Sequence, residues 1–445
     1  MDSGIIPACC TAASAGCGDA KSVLVVRELV YNPTALAHIH TRNIALRRIH
    51  FVPLGLALCF AAFAASAADV VTAAGPEQIV FPSLDGLIVA ERLVTGLSQP
   101  SAIEILPDGK ALVMERYVGL LSLVDFVTGA VSKVEGLPNT LVSESGGAHD
   151  IELHPDFATN GWIYISYSEG KQGHSSTVVD RIRLDGARVT ARERVFAAEA
   201  YSEPAFHFLA RMAFVDGYLY LALGDTEHPS MAQDNSHHAG TILRLHDDGR
   251  VPADNPFAGV VAEGGTSPPR PEIWSYGHRN PQGLYRDPET NELWENEHGP
   301  RGGDELNRVK KGANYGWPIV SFGLQYGGGA IGSGLPMQEG MENPVWVYVP
   351  SIAPGDLVIY RGEAFPHWRG NFLIGALAGM HLNRLVLRDG QVVAEERLAQ
   401  ELLGRIRALA LDPAGLVYLA NDYGEIWRLR PHEPQHDSTL QEIAE

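Results

Sequence analysis

The residues able to do chemistry crowd into one stretch, residues 273–318. It opens with Trp274-Ser275-Tyr276-Gly277-His278-Arg279-Asn280-Pro281-Gln282-Gly283 and continues through Glu297-His298-Gly299-Pro300-Arg301-Gly302-Gly303-Asp304-Glu305-Leu306-Asn307. It ends with Gly312-Ala313-Asn314-Tyr315-Gly316-Trp317-Pro318. Glycine lets a backbone turn sharply or come close to a ligand. Asp304, Glu305 and nearby carbonyls offer the hard oxygen donors that Ca2+ takes. A solvated turn with its acids on the surface accounts for the same residues. His207 is one of seventeen histidines; a neutral imidazole suits proton abstraction near neutral pH, but residue type alone does not separate it from structural histidines. Arg405 and Arg407 stand two apart in Gly404-Arg405-Ile406-Arg407, so on a strand both guanidiniums point to one side. Asp150, Glu152 and His154 also alternate, as metal ligands would, although His154-Pro155-Asp156 reads as a turn, the reading favoured here. His237-His238 near Asp234 is read as a solvated loop rather than a metal site.

The elements that must position these residues read as short strands. A turn followed by a β-rich run recurs six times, at Pro107-Asp108-Gly109, His154-Pro155-Asp156, Asp216-Gly217, Asp287-Pro288, Pro366 to Gly370, and Asp412-Pro413-Ala414-Gly415. The runs that follow, such as Tyr218-Leu219-Tyr220-Leu221 and Leu416-Val417-Tyr418-Leu419, alternate aromatic and aliphatic residues. The units lie roughly 45 to 80 residues apart, a spacing that suits propeller blades with loop insertions. No long amphipathic stretch carries helix caps at both ends. The expected fold is therefore all-β, a six-bladed β-propeller, with an irregular β-sandwich or two β domains as the alternative. Loops at one end of such a ring converge, so residues far apart in sequence share one pocket.

The formal net charge is −19 and no Lys/Arg-rich run occurs, which argues against nucleic acid as a partner. No Gly-rich nucleotide loop and no Gly-x-Ser-x-Gly elbow is present. Arg47-Arg48, an apolar run over 51–63 and Ala65-Ser66-Ala67 form the basic, apolar, small-residue order of a signal peptide, over about residues 45–67. The expected division is a leader, 1–67, and a single domain, 68–445. The run is short for a bilayer span, so stable membrane insertion is not expected. All four cysteines fall within the leader. The exported part would then lack disulfides and thiol nucleophiles, which suits a periplasmic or secreted protein.

Taken in order, Ala232-Gln233-Asp234, Gly249-Arg250-Val251-Pro252-Ala253-Asp254-Asn255-Pro256, Gly277-His278-Arg279-Asn280-Pro281-Gln282-Gly283, Glu297-His298-Gly299-Pro300 and Pro350-Ser351-Ile352-Ala353-Pro354 resemble the soluble quinoprotein glucose/sorbosone dehydrogenase family, in particular its aldose sugar dehydrogenase branch. The resemblance spans about residues 97–429. It implies oxidation of the C1 hydroxyl of an aldose to a lactone with pyrroloquinoline quinone and Ca2+. Electrons would pass to an external acceptor, a quinone or small redox protein, from a monomer or homodimer. It implies His207 as general base, with hydride moving to C5 of the quinone. Arg279 and Asn280 would contact the reactive carbonyl region, where a fixed cation stabilises arriving charge. Arg405 and Arg407 would hold cofactor carboxylates by forked contacts, with Arg361 and Ser145 as further cofactor contacts. The carbonyls of Gly299 and Pro300 would bind the cofactor's Ca2+, a Lewis acid there, and Glu305 with the Tyr315 carbonyl a second, structural calcium.

The chain departs from the family pattern in three places. Leu209-Ala210 stands where a Gly-Gly pair is usual, Ser145 lies where a polar Gln and a Leu-Leu pair are common, and Phe206 replaces the acid that precedes the base in the glucose dehydrogenase type. Two competing functions follow: a non-redox sugar- or ligand-binding propeller, and a calcium-dependent lactone hydrolase. The paired arginines favour the dehydrogenase, because a hydrolase has no evident use for a tricarboxylate cradle.

Overall fold

The computed structural model describes residues 77–143, 146–171, 174–199, 207, 210–262 and 267–432. All of them belong to one compact unit, Ala67–Glu445. The expected leader and its signal peptide lie outside the described residues, as do Ser145, Phe206 and Leu209.

Six antiparallel sheets make up the unit. Blade 1 runs outward from Pro100–Ile105 through Ala111–Glu115 and Leu120–Asp125 to Ala130–Lys133. Blade 2 starts at Ala148–Leu153, blade 3 at Ala210–Val215, blade 4 at Pro281–Arg286 and blade 5 at Pro354–Ile359, each with three further strands. Blade 6 has five strands: Ile406–Leu411, Val417–Asn421 and Ile426–Pro431, then Gly86–Val94 and Gln78–Ser83 from the other end of the chain. The six innermost strands neighbour one another in a closed ring, so the fold is the expected six-bladed β-propeller.

Each of the six turns read from the sequence is the hairpin between a blade's first and second strands. The tightest is Asp216-Gly217, with φ of 52° and 78°, joining Val215 to its partner Tyr218. Two positive φ values in a two-residue loop match the twist of the flanking strands, and Gly217 adopts its value without a Cβ penalty.

Packing follows from blade shape. Alternating residues send apolar side chains to both faces of each sheet, and neighbouring sheets bury them between them. Six apolar clusters result, one for each cleft between adjacent blades. Leu112 and Leu121 of blade 1 pack on Ile151, Ile163 and Ile182 of blade 2. Met212 and Leu221 of blade 3 meet Tyr164 and Val179 of blade 2. Leu373 and Val358 of blade 5 meet Leu409 and Leu419 of blade 6. The other three clefts are filled the same way.

The ring encloses a cavity of about 240 Å3 to which every innermost strand contributes. Its polar lining is Glu104, Asp150, Glu152 and Asp356 around one guanidinium, Arg211. Burial, then Asp150 and Asp356, push the Glu104 carboxyl up to about 8, and burial pushes Asp356 up to about 6. Arg211 donates to Asp150 at 3.1 Å and to the Gln282 carbonyl at 2.6 Å. Asp150 and Glu152 thus face the axis. His154 instead accepts the Asp156 amide at 2.9 Å within its hairpin turn, so the three do not assemble as a metal site.

Candidate active site

The loops that enter the innermost strands, and those that join second strands to third, lie at the end of the ring opposite the six hairpin turns. His207 precedes the first strand of blade 3 and has a φ of 60°. Asp225 follows that blade's second strand, Tyr218–Leu223. Gly224 lets the two meet: a Cβ there would stand 2.4 Å from the His207 carbonyl oxygen. His207 Nδ1 and Asp225 Oδ1 are 2.6 Å apart.

Asp225 is 1% exposed. Its carboxylate also accepts the Glu227 amide at 2.9 Å and the Trp317 indole Nε1–H at 2.8 Å. An ionised carboxylate with two other donors can only accept from the ring, so Nδ1 is the donor, and in a neutral imidazole the lone pair then lies on Nε2. That is the tautomer a base needs at Nε2.

Arg279 is fixed at both ends. Its amide and that of Asn280 donate to one oxygen of Glu297, at 2.5 and 3.1 Å, and its carbonyl accepts the Asp225 amide at 2.8 Å. The guanidinium donates to the His298 and Gly299 carbonyls, at 2.8 and 3.2 Å, and lies 5.3 Å from the centre of the Trp317 ring. Trp317 therefore touches both the base's partner and the cation. His298 donates from Nε2 to the Pro354 carbonyl at 2.7 Å. Burial, with Arg279, His207 and Arg407 nearby, pulls its pKa down to about 3, so it stays neutral beside the cations.

Arg405 and Arg407 share one anchor, Asp422. Arg407 grips it with two nitrogens, at 2.6 and 3.0 Å, and Arg405 with one, at 2.8 Å. Asp422 is held below the usual carboxylate range by these guanidiniums, against its own desolvation. Arg116 joins the cluster: burial, then Arg407, lower its pKa to about 10. Two cations aimed by one carboxylate leave net positive charge for an anionic ligand.

The expected calcium donors converge. Gly299, Pro300, Glu305 and Tyr315 line a cavity of about 10 Å3 together with Arg279, Glu297, His298 and Trp317. Its carboxylates and carbonyls are the hard oxygen donors that calcium takes, so the residues present fit both the cofactor's calcium, at Gly299 and Pro300, and the structural one, at Glu305 and Tyr315. The Gly299 carbonyl is shared with Arg279. The arginine cluster likewise fits a polycarboxylate cofactor.

One cofactor assignment needs correction. Arg361 follows the innermost strand of blade 5 at the hairpin-turn end, far along the ring axis from His207. It binds Asp287 at 3.0 and 2.6 Å and Glu289 at 2.8 Å. It clamps two neighbouring hairpin turns and is not part of the site. Ala210, one of the departures, is fully buried at the start of its strand and accepts the Ser166 hydroxyl at 2.7 Å. His237 pairs loosely with Glu199 and Asp234, at 3.4 and 3.5 Å.

Sequence reasoning missed Asp225, Trp317, Asp422 and Arg116. Asp422 left the clearest trace, an acid just after the last six-fold unit's second strand and opposite an Arg-x-Arg pair.

Comparison with known proteins identifies the family and the fold. The family model described as Glucose / Sorbosone dehydrogenase matches residues 97–428. Aldose sugar dehydrogenase YliI of Escherichia coli is 36% identical over 348 residues, 77% of this chain and 92% of that protein. The crystal structure of the soluble aldose sugar dehydrogenase from Escherichia coli in the apo-form superposes with a TM-score of 0.71 at 35% identity, covering 78% of this chain and 100% of that one. The PQQ-bound form of aldose sugar dehydrogenase from Streptomyces coelicolor superposes with a TM-score of 0.61 at 25% identity, covering 80% and 98%. A closed ring of six blades, a histidine set against a buried carboxylate and a match over most of the propeller lead to one statement: this chain belongs to the glucose/sorbosone dehydrogenase family.

Proposed function

We propose that the protein oxidises the C1 hydroxyl of aldose sugars to lactones, using pyrroloquinoline quinone and calcium, and passes the electrons to an external acceptor outside the cytoplasm. The observation that carries this reading is the convergence of His207, oriented by Asp225, with the fixed cation Arg279 and the Arg405–Arg407 pair at one end of the ring. The names of the similar proteins supply the substrate and cofactor class.

When bound, the quinone supplies the hydride acceptor, and calcium beside it adds Lewis acidity. The chain's own residues do the rest. His207 Nε2 removes the hydroxyl proton while C1 gives up hydride, so the sugar loses two electrons and two hydrogens as the lactone forms. Asp225 stabilises the imidazolium at Nδ1. Arg279 places positive charge where electron density gathers. Arg405 and Arg407 would hold the cofactor's carboxylates, the Gly299 and Pro300 carbonyls the cofactor's calcium, and Glu305 with the Tyr315 carbonyl a second, structural calcium. The expected leader would deliver the chain to the periplasm or outside the cell. Among the described residues no helix is long and apolar enough to cross a membrane.

The test uses protein starting at Ala68, purified without cofactor, then given pyrroloquinoline quinone and Ca2+ and assayed by dye reduction over a panel of aldoses. Activity that needs both additions and collapses in His207→Ala supports the dehydrogenase. Tight quinone binding without turnover points to a binding propeller. Lactone hydrolysis without quinone points to a hydrolase.

A further inference from the structure

Beneath the Arg279–Asn280 turn, inside blade 4, lies a polar cluster that the proposed reaction does not use. His278, Glu295 and Glu297 are 0%, 0% and 4% exposed, and each offers a ligand atom within 4.8 Å of the others. Their convergence is built into the sheet. Glu295 and Glu297 alternate along Leu293–Glu297 and so face one side. Asn307 pairs directly opposite Glu295. His278 enters from the preceding loop, its ring stacked on Tyr315 at 4.4 Å between centres.

Hydrogen bonding does not account for these atoms. His278 Nε2 is 3.0 Å from the Ser275 hydroxyl, but its buried Nδ1 has no partner among the described residues. It stands 3.8 Å from Glu295 Oε2, too far for a hydrogen bond. Glu295 Oε2 accepts the Asn307 amide at 3.1 Å, while Glu295 Oε1 and Asn307 Oδ1 are buried and unpartnered. Such atoms are rare in folded proteins and mark a missing proton, water or ion.

The charges do not balance either. Among the described residues, the one ion-pair partner of Glu295 is His278, and the one cation acting on Glu297 is Arg279. A buried ring nitrogen without a hydrogen-bond partner thus faces two buried carboxylates, and a dication would satisfy both.

We propose that His278 Nδ1, Glu295 and Glu297 bind one divalent first-row transition-metal ion. One imidazole and two carboxylates suit Zn2+ or Mn2+, whereas Ca2+ prefers oxygen throughout. Glu297 also lines the cavity assigned to calcium; what sets the proposed site apart is the imidazole nitrogen of His278, and it does not rest on the quinone reading. Glu297 gives the ion a purpose: its Oε2 holds the Arg279 and Asn280 amides, so an ion fixing this carboxylate also fixes that turn.

The experiment uses the full-length protein, stripped with a chelator and kept free of quinone. Mn2+ is titrated in while the free-ion paramagnetic resonance signal is followed, and Zn2+ binding is measured by competition. The expected result is one tight equivalent that excess Ca2+ fails to displace, with nitrogen hyperfine coupling from an imidazole in bound Mn2+. Melting temperature should rise on loading. Glu295→Gln, which keeps the side chain's shape, should weaken binding at least roughly 100-fold, and His278→Gln should remove the nitrogen coupling. The assignment is overturned by the absence of a tight equivalent in the wild type, by equal affinity in Glu295→Gln, or by Ca2+ displacing Mn2+ one for one. Nitrogen coupling that survives in a folded His278→Gln overturns the imidazole ligand. If that variant does not fold, the wild-type coupling and Glu295→Gln decide the matter.

Discussion

Replacing Asp225 by asparagine tests the catalytic reading at its most constrained atom. The carboxylate accepts three donors: His207 Nδ1–H and the Glu227 amide at one oxygen, Trp317 Nε1–H at the other. Asparagine offers one oxygen and two N–H groups of the same shape. With its oxygen toward His207, the amide N–H meets the Trp317 N–H donor to donor. Flipped, it satisfies Trp317 but turns its N–H toward His207 Nδ1, which forces the proton onto Nε2 and removes the base. Either way the charged partner of the imidazolium is gone. A hydrogen bond to a charged group contributes about 1.5 to 3 kcal/mol. Expressed in the transition state alone, that lowers kcat by about 10- to 150-fold. The assay is steady-state dye reduction at saturating quinone, with KM for the sugar expected within about threefold of wild type. Imidazole 15N shifts in the cofactor-free protein should show His207 moving away from a pure Nδ1–H tautomer. Unchanged kcat, or a loss carried wholly by KM, would refute the assignment of His207 and Asp225 as base and partner.

Trp317→Phe keeps the ring beside Arg279 but deletes the N–H to Asp225, so kcat should fall about tenfold while quinone affinity holds. Trp317→Leu should weaken quinone binding as well, read by absorbance titration. Arg407→Lys replaces a two-nitrogen grip by a point charge; the quinone dissociation constant should rise about tenfold or more, and unchanged affinity would remove Arg407 from the cofactor site. Glu104 predicts a pH dependence of stability. Folded, it keeps its proton up to about pH 8, whereas its unfolded value is 4.5. The folded state therefore binds more protons between these values, and stability, fully present below 4.5, is lost as pH rises toward 8. Glu104→Gln should raise the melting temperature more at pH 8 than at pH 5, and an equal effect at both would contradict the shift.

Much of the fold was legible because blade hairpins are local. Asp216-Gly217 and Asp412-Pro413-Ala414-Gly415 announce turns whose partners lie a few residues away. The strands Gln78–Ser83 and Gly86–Val94 were not legible, since their blade is completed by residues from the far end of the chain. In the candidate site, His207, Arg279, Arg405 and Arg407 were proposed through motif resemblance. Asp225 and Trp317 were not, because a lone acid after Leu223-Gly224 and a Trp among glycines signal nothing until the ring brings blade 3 and the long loop of blade 4 together. Arg361 misled for the same reason: its position in the chain resembled a cofactor contact, and only the fold shows it facing the other end. The cluster of His278, Glu295 and Glu297 lay in plain view within the quoted stretch, yet strand alternation and burial were needed to show that the three meet.

Blade 6 sets the order in which the molecule can become whole. Glu91, on a strand made early in synthesis, binds Arg428 and Arg430 at 2.6 and 2.9 Å, and Glu91 and Arg428 are separated by 337 residues. Until Ile426–Pro431 arrives, Gly86–Val94 has no inner neighbour and the ring stays an open arc with two raw sheet edges. Contacts this remote in sequence make for slow, late closure, and unpaired edges invite other chains. The same lock then works in favour of the finished protein. Neither end of the ring can peel away without opening the blade that holds the other, so a chain shortened before Ile426 should accumulate as aggregate or be degraded rather than persist as a five-bladed remnant.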